Sequence, residues 1–130
     1  RYGQTYPGIN YVIKLNAKTN LVPKTYTDPI SRALYSMEQI ERFKENTKLS
    51  IVGVGYTVYL GSKYEAIMLQ ESAQIVYQAH QLGMLAILWM YPRGRSVTDE
   101  RDAGLIAGAA GVANSLGADF VKVNVPNGVD

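Results

Sequence analysis

Four short, largely apolar stretches read as strands whose successive side chains point to opposite faces, and apolar residues recur at three- and four-residue steps in the longer stretches between them. The first strand is expected over residues 11–16, YVIKLN, with Ile13 and Leu15 on one face and Val12, Lys14 and Asn16 on the other. The second, residues 50–56, is SIVGVGY, and its Gly53 and Gly55 share a face, leaving room there for something bulky. The third, residues 85–91, is LAILWMY, closed by Pro92, with Ile87, Trp89 and Tyr91 on one face and Leu88 and Met90 on the other. The fourth lies within residues 117–124, GADFVKVN. Phe120, Lys122 and Asn124 share one face, while Val121, Val123 and Val125 share the other.

Between the strands the period changes to that of helices. Ser36 and Gln39 make a capping box for a helix to about residue 45, ended by the polar run NTKLS. Ser62 and Glu65 make a second, for a helix to about residue 82 with Ala66, Leu69, Ala73 and Val76 as its stripe and Gly83 as its left-handed stop. Thr98 or Asp99 caps a third helix, whose buried stripe is expected to be Leu105, Ile106, Ala109, Val112, Ala113 and Leu116, with Gly117 ending it. Residues 1–9 form an entry loop. Residues 17–36 carry two prolines and no periodicity, a long loop of the kind that usually has a functional reason to exist.

Strand and helix in strict alternation predict a parallel sheet with helical crossovers. Near-continuous apolar strands predict cover on both faces, as in a barrel or a doubly wound sheet. No Gly-x-Gly-x-x-Gly follows any strand, which argues against the dinucleotide-binding form of the latter. The pattern therefore predicts an α/β fold, a segment of a barrel.

Composition narrows the chemistry. The chain has 130 residues, the size of one domain, with 47% hydrophobic and 18% charged residues, ordinary for a globular protein. A net charge of +2, spread along the chain, does not argue for nucleic acid or an anionic membrane. Without cysteine there is no disulfide frame, thiolate chemistry or cysteine-held metal, which fits a cytoplasmic setting. The longest apolar run, residues 84–90, is about a third of what a bilayer crossing needs.

The chemistry centres on Lys122, an amine in an otherwise apolar strand. Burial without a partner depresses an ammonium's pKa and makes a nucleophile, although a strand-end lysine can equally snorkel to water. Side by side, the strands bring Lys14 and Asn16, Tyr56 or Thr57, Trp89 and Tyr91, and Lys122 and Asn124 to the C-terminal rim, where barrels build their active sites. A lysine nucleophile, a phenol and an aromatic wall suit imine chemistry; Trp89 and Tyr91 as a layer of core aromatics is the competing reading. His80, the lone histidine, sits near a helix C-terminus and reads as a dipole cap or a solvated side chain.

The segments KLNAKT, GYTVYLGS, LWMYPRG, LIAGAAGVANSLGAD and VKVN, in this order and spacing, resemble the archaeal-type class I fructose-1,6-bisphosphate aldolases, a (β/α)8 (TIM barrel) family. The resemblance runs from about residue 10 to 125. It implies that Lys122 forms the Schiff base, that Tyr91 donates and accepts the proton, and that Trp89 lines the substrate site. Arg93 either faces the phosphorylated substrate or makes a structural ion pair, and Lys14 and Asn16 complete the substrate-binding set. The resemblance further implies a cytoplasmic, homo-oligomeric lyase of glycolysis and gluconeogenesis that acts on sugar phosphates with neither metal nor cofactor, and with no nucleic-acid or membrane partner.

Relatives of such barrels act on other ketose phosphates through a lysine, including enzymes that make aromatic amino-acid precursors, and a non-catalytic half-barrel is a further alternative. The chain departs from the pattern in the turn before the second strand, where ERFKENTKLS replaces a Leu-Gly-Ala-Asp-like ending. The whole of residues 1–130 reads as about strands 3 to 6 of a barrel of about 250 residues. The first-strand acid and the glycine-rich phosphate loops after strands seven and eight would lie outside it.

Overall fold

The computed structural model describes residues 5–19, 21 and 28–129. Its elements are β1 (Tyr11–Lys14), α1 (Met37–Thr47), β2 (Ile51–Leu60), α2 (Glu65–Gln81), β3 (Leu85–Pro92), α3 (Ala103–Ser115) and β4 (Phe120–Lys122). The strands pair in the order β1-β2-β3-β4, all parallel. Each connection is therefore a crossover through a helix. A doubly wound sheet reverses its strand order at a switch point, and this sheet does not; sequential order is that of a barrel wall.

One face of the sheet is packed. Leu15, Val54, Tyr56, Val58, Ala86, Leu88 and Met90 are buried against Met37 and Ile40 of α1, Met68, Ile75, Val76 and Ala79 of α2, and Ala109 and Ala113 of α3. Burying side chains of this kind contributes roughly 1.5–3 kcal/mol for each of the larger ones, which holds the helices to the strands. The other face was also expected to be covered. Among the described residues no element crosses it, and along β3 its residues Leu85, Ile87, Trp89 and Tyr91 alternate with fully buried ones.

Several expectations shift in detail. β1 ends at Lys14, because Asn16 leaves the ladder for an antiparallel bridge with Ala33. β2 runs to Leu60 rather than residue 56, since the β-branched and aromatic run continues through Thr57, Val58 and Tyr59, all buried, and stays paired with β3 as far as Pro92. The capping box of α1 forms as expected, with Ser36 and Gln39 bonding reciprocally. That of α2 does not. Ser62 Oγ accepts from Tyr64 N and donates to Pro29 O, while the Glu65 carboxylate reaches back to Gly61 N, so the helix starts at Glu65 itself.

The buried stripe of α2 is Met68, Ser72, Ile75, Val76 and Ala79, whereas Ala66 is exposed. In α3 the cap is Asp102, whose carboxylate accepts from Leu105 N, so neither Thr98 nor Asp99 fills that place; Leu105 is exposed. Gly83 and Gly117 take positive φ, 65° and 85°, and end their helices as expected. Of the long loop, positions 20 and 22–27 lie outside the described residues.

The loops after β2 and β3 meet backbone to backbone. Arg93 N donates to Leu60 O at 2.8 Å, and a Cβ on Gly94 would land on the Gly61 carbonyl and the Ser62 N–H. Gly94→Ala is expected to destabilise by about 1–3 kcal/mol, because the obstacle is backbone that cannot swing aside. Gly108→Ala, in α3 with nothing near its missing Cβ, is expected to stabilise by about 0.5–1 kcal/mol. Urea midpoints moving in opposite directions would bear this out; a neutral Gly94→Ala would contradict the close approach.

Candidate active site

In-register residues of a parallel sheet project to the same side, so the pairing lists the open face row by row. Lys14, Gly55, Ile87 and Phe120 form one row. Thr57, Trp89 and Lys122 form the next toward the C-terminal ends, followed by Tyr59 and Tyr91. The structure thus brings Lys14, Trp89, Tyr91 and Lys122 to one surface.

Gly55 earns its place here: a Cβ on it would occupy the six-membered ring of Trp89. The indole lies across the glycine, and Lys14 Nζ sits 5.3 Å from the ring centroid, within cation–π range. Partial desolvation of the Lys14 amine, and then the charge of Lys122, hold its pKa below the ordinary lysine range. Lys122 itself is exposed, not buried as the apolar strand suggested, because β4 has all three residues open to solvent.

At the outer row the Tyr59 and Tyr91 rings lie 6.5 Å apart, tilted by 30°. The Arg93 guanidinium is 5.6 Å from the first centroid and 5.7 Å from the second, and its Nε and Nη2 donate to the two Glu100 carboxylate oxygens at 2.7 and 2.6 Å. The Glu100 bonds hold the Arg93 pKa above its usual value. Of the two readings open for Arg93, the ion pair is present. Burial raises the Tyr59 pKa, against the opposing charge of Arg93.

Asn16 is not with this group. Fully buried, it donates both amide hydrogens, to Ser31 O and Thr57 O, and accepts from Thr57 N at 2.8 Å, acting as a surrogate strand backbone. Of the pair Tyr56 or Thr57, Thr57 faces the site and Tyr56 faces the helices. Asn124 follows the end of β4. His80 bonds Asp119 at 2.9 Å, ahead of β4 and at the opposite end of that strand from Lys122. Tyr59 escaped the sequence reading although its signal was there: extending the glycine face of β2 by two further alternations reaches Thr57 and Tyr59.

The sequence profile of the DeoC/LacD family aldolases matches residues 1–130. The chain belongs to this family. It is 57% identical over 126 residues to a fructose-bisphosphate aldolase/6-deoxy-5-ketofructose 1-phosphate synthase of Methanocaldococcus jannaschii, covering 97% of this chain and 40% of that protein. It superposes on a fructose-bisphosphate aldolase from Slackia heliotrinireducens with a TM-score of 0.94 at 51% identity, over 99% of this chain and 41% of the other. An archaeal fructose-1,6-bisphosphate aldolase with its catalytic lysine covalently bound to the carbinolamine intermediate of the substrate superposes with a TM-score of 0.78 at 32% identity, over 95% and 47%. The chain thus spans about two fifths of the length of the relatives it matches. It is a partial barrel.

In this aldolase-family chain a buried polar network fixes the segment after β1 beside the site. The Tyr56 hydroxyl donates within 2.5 Å of Glu71 Oε2 and lies 3.0 Å from Ser31 O; Glu71 also accepts from Ala33 N and Arg32 Nε. Farther along, Asp28 accepts from Arg95 N, tying the same segment to the loop that carries Arg93. Burial, then the Glu71 carboxylate, raise the Tyr56 pKa and keep the phenol neutral. Among the described residues, the Thr57 hydroxyl is the buried side-chain oxygen without a partner, and it sits in the row of Trp89 and Lys122.

Burial alone would raise the Glu71 pKa, but bonds from Tyr56, Ala33 and Arg32 outweigh it and hold the carboxyl below the ordinary glutamate range. A depressed folded-state pKa means stabilisation that is full above the unfolded value, about 4.3, and lost as pH falls through the folded value. Glu71→Gln is accordingly expected to cost about 1–3 kcal/mol at neutral pH, and the gap should narrow in acid below about pH 4. Unfolding curves of both proteins from pH 7 to 3 check this; a gap independent of pH would show that the carboxylate charge is not what holds the segment.

Proposed function

We propose that this chain carries the Schiff-base half of a class I aldolase barrel, one that cleaves and forms fructose-1,6-bisphosphate from dihydroxyacetone phosphate and glyceraldehyde 3-phosphate. The observation that carries the reading is the placement of Lys122 in register with Trp89 and one row from Tyr91 on the open face. The relative with a covalently bound catalytic lysine supports the same chemistry. The Lys122 amine adds to the C2 ketone, and the carbinolamine loses water to give an iminium. The C3–C4 electron pair then moves into the iminium, giving an enamine, while Tyr91 removes the C4 hydroxyl proton and the aldehyde product departs. Protonation at C3 and hydrolysis return the amine. Because the iminium is the electron sink, the reading needs no metal or cofactor.

Lys14, close to the indole and to the charge of Lys122, serves as a cationic substrate contact. The remaining strands of the barrel supply the opposite wall and the phosphate loops, and the working protein is a cytoplasmic homo-oligomer. A second reading, lysine chemistry on another ketose phosphate of the kind that leads to aromatic amino-acid precursors, draws support from the Methanocaldococcus jannaschii relative, whose name pairs two reactions. Product analysis with both substrate types separates the two.

In the full-length protein, borohydride with dihydroxyacetone phosphate is expected to label the Lys122 peptide, and Lys122→Arg to abolish labelling because a guanidinium stays protonated. Peptide mapping decides; a label on Lys14 instead would reassign the nucleophile. Tyr91→Phe is expected to retain trapping while cleavage falls by roughly two to four orders of magnitude. Cleavage at the unaltered rate would return Tyr91 to a packing role.

A further inference from the structure

Arg93 is placed oddly for a phosphate ligand. Two of its three guanidinium nitrogens are bonded to Glu100, so the carboxylate neutralises it and would repel an incoming dianion. Its plane lies instead within 6 Å of the rings of Tyr59 and Tyr91, from which the guanidinium gains cation–π attraction. Backbone contacts hold the whole assembly still: Arg93 N donates to Leu60 O, at the end of β2 next to Tyr59, and Gly94 packs on Gly61. Tyr59 is buried and Tyr91 only half buried, so of the two phenols Tyr91 is the one a substrate can reach.

Resting on the aldolase reading above, we propose that Arg93, clamped by Glu100, is a positioning residue for Tyr91. It holds the ring against Tyr59 and fixes the phenol where it must take the C4 hydroxyl proton as the C3–C4 electron pair enters the iminium. The charged or titratable groups around Tyr91 are Tyr59 from β2, Arg93 and Glu100 from its own loop, and, one row below, Lys122 from β4. Arg93 is the cation nearest the ring among those whose distance to it the structure gives. Fixing the proton-transfer geometry in this way lowers the barrier to cleavage and leaves imine formation at Lys122 untouched.

The test uses the full-length protein and four variants: Glu100→Gln, Glu100→Asp, Arg93→Lys and Arg93→Gln. Glu100→Gln is expected to lower kcat for fructose-1,6-bisphosphate cleavage about tenfold with KM changed less than about twofold, and to leave borohydride trapping of dihydroxyacetone phosphate intact. Glu100→Asp should recover part of the loss. Arg93→Lys, which keeps the charge but not the planar fork, should resemble Glu100→Gln. Arg93→Gln, which removes the fork that Glu100 clamps, should lower kcat at least as far while trapping survives.

A higher KM at unchanged kcat would overturn the proposal in favour of a phosphate ligand. So would parallel loss of trapping, cleavage and melting temperature, which would make the pair merely structural. Absence of trapping in the unaltered protein would overturn the aldolase reading and this one together, whereas trapping throughout with unchanged kcat would overturn this one alone.

Discussion

The parallel ladder between β2 and β3 sets almost everything that follows from this structure. Eight residue pairs, from Gly53 with Leu85 to Leu60 with Pro92, lock the strands in a single register. A slip of one residue would send Trp89 and Tyr91 to the helix side and Leu88 and Met90 to the open face, exchanging a packed surface for an unpackable one. The fully buried residues Val54, Tyr56, Val58, Ala86, Leu88 and Met90 are what forbid that slip. The register in turn places Gly55 beneath the Trp89 indole and Tyr59 beside Tyr91. β1 and β4 then add one lysine each, on either side of the indole's rows.

The C-terminal ends of the strands are held by a different kind of force. Packing is generic there, and specificity comes from buried polar groups with satisfied bonds: Asn16 against the Thr57 backbone, Tyr56 and Glu71 against Ser31 and Ala33, Ser62 against Pro29, Asp28 against Arg95. Each leaves an orphaned polar group if its partner is lost, which costs more than the bond's own net worth. These bonds join the segment after β1 to β2, to α2 and to the loops after β2 and β3. The chemical face is thereby framed by residues 28–33, each end of which is bonded to a neighbouring element.

Lys14 and Lys122 show how the same residue type is tuned by its surroundings. Lys14 has an aromatic wall and a neighbouring cation and is held below its usual range, whereas Lys122 stands at the open edge with β4 exposed on all three residues. Closing a barrel over this face would remove water from both side chains. The likeness to relatives of which this chain spans about two fifths makes such a wall part of the proposed enzyme.

Periodicity determined the alternation of strand and helix and the side of the sheet on which Lys14, Trp89, Tyr91 and Lys122 lie, because side-chain direction in a strand depends only on parity, while the missing dinucleotide glycine motif was what favoured a barrel. The α1 cap and the glycine stops at Gly83 and Gly117 were legible for a similar reason, since each is a bond or a φ value set within a few residues. Where distant residues compete for the same group, local signals misled. Ser62 gave its hydroxyl to Pro29 and did not cap α2, which starts at Glu65; Asp102 capped α3 while Asp99 bonded Arg101 and Asn127. Asn16 looked like a rim ligand until Thr57 and Ser31 claimed its amide, and Tyr59 was passed over because β2 outran its expected end. Those outcomes belong to the tertiary structure: a polar group buried from water must take whatever partner the fold brings within reach, and residues as far apart as Asn16 and Thr57 meet only once the sheet has formed.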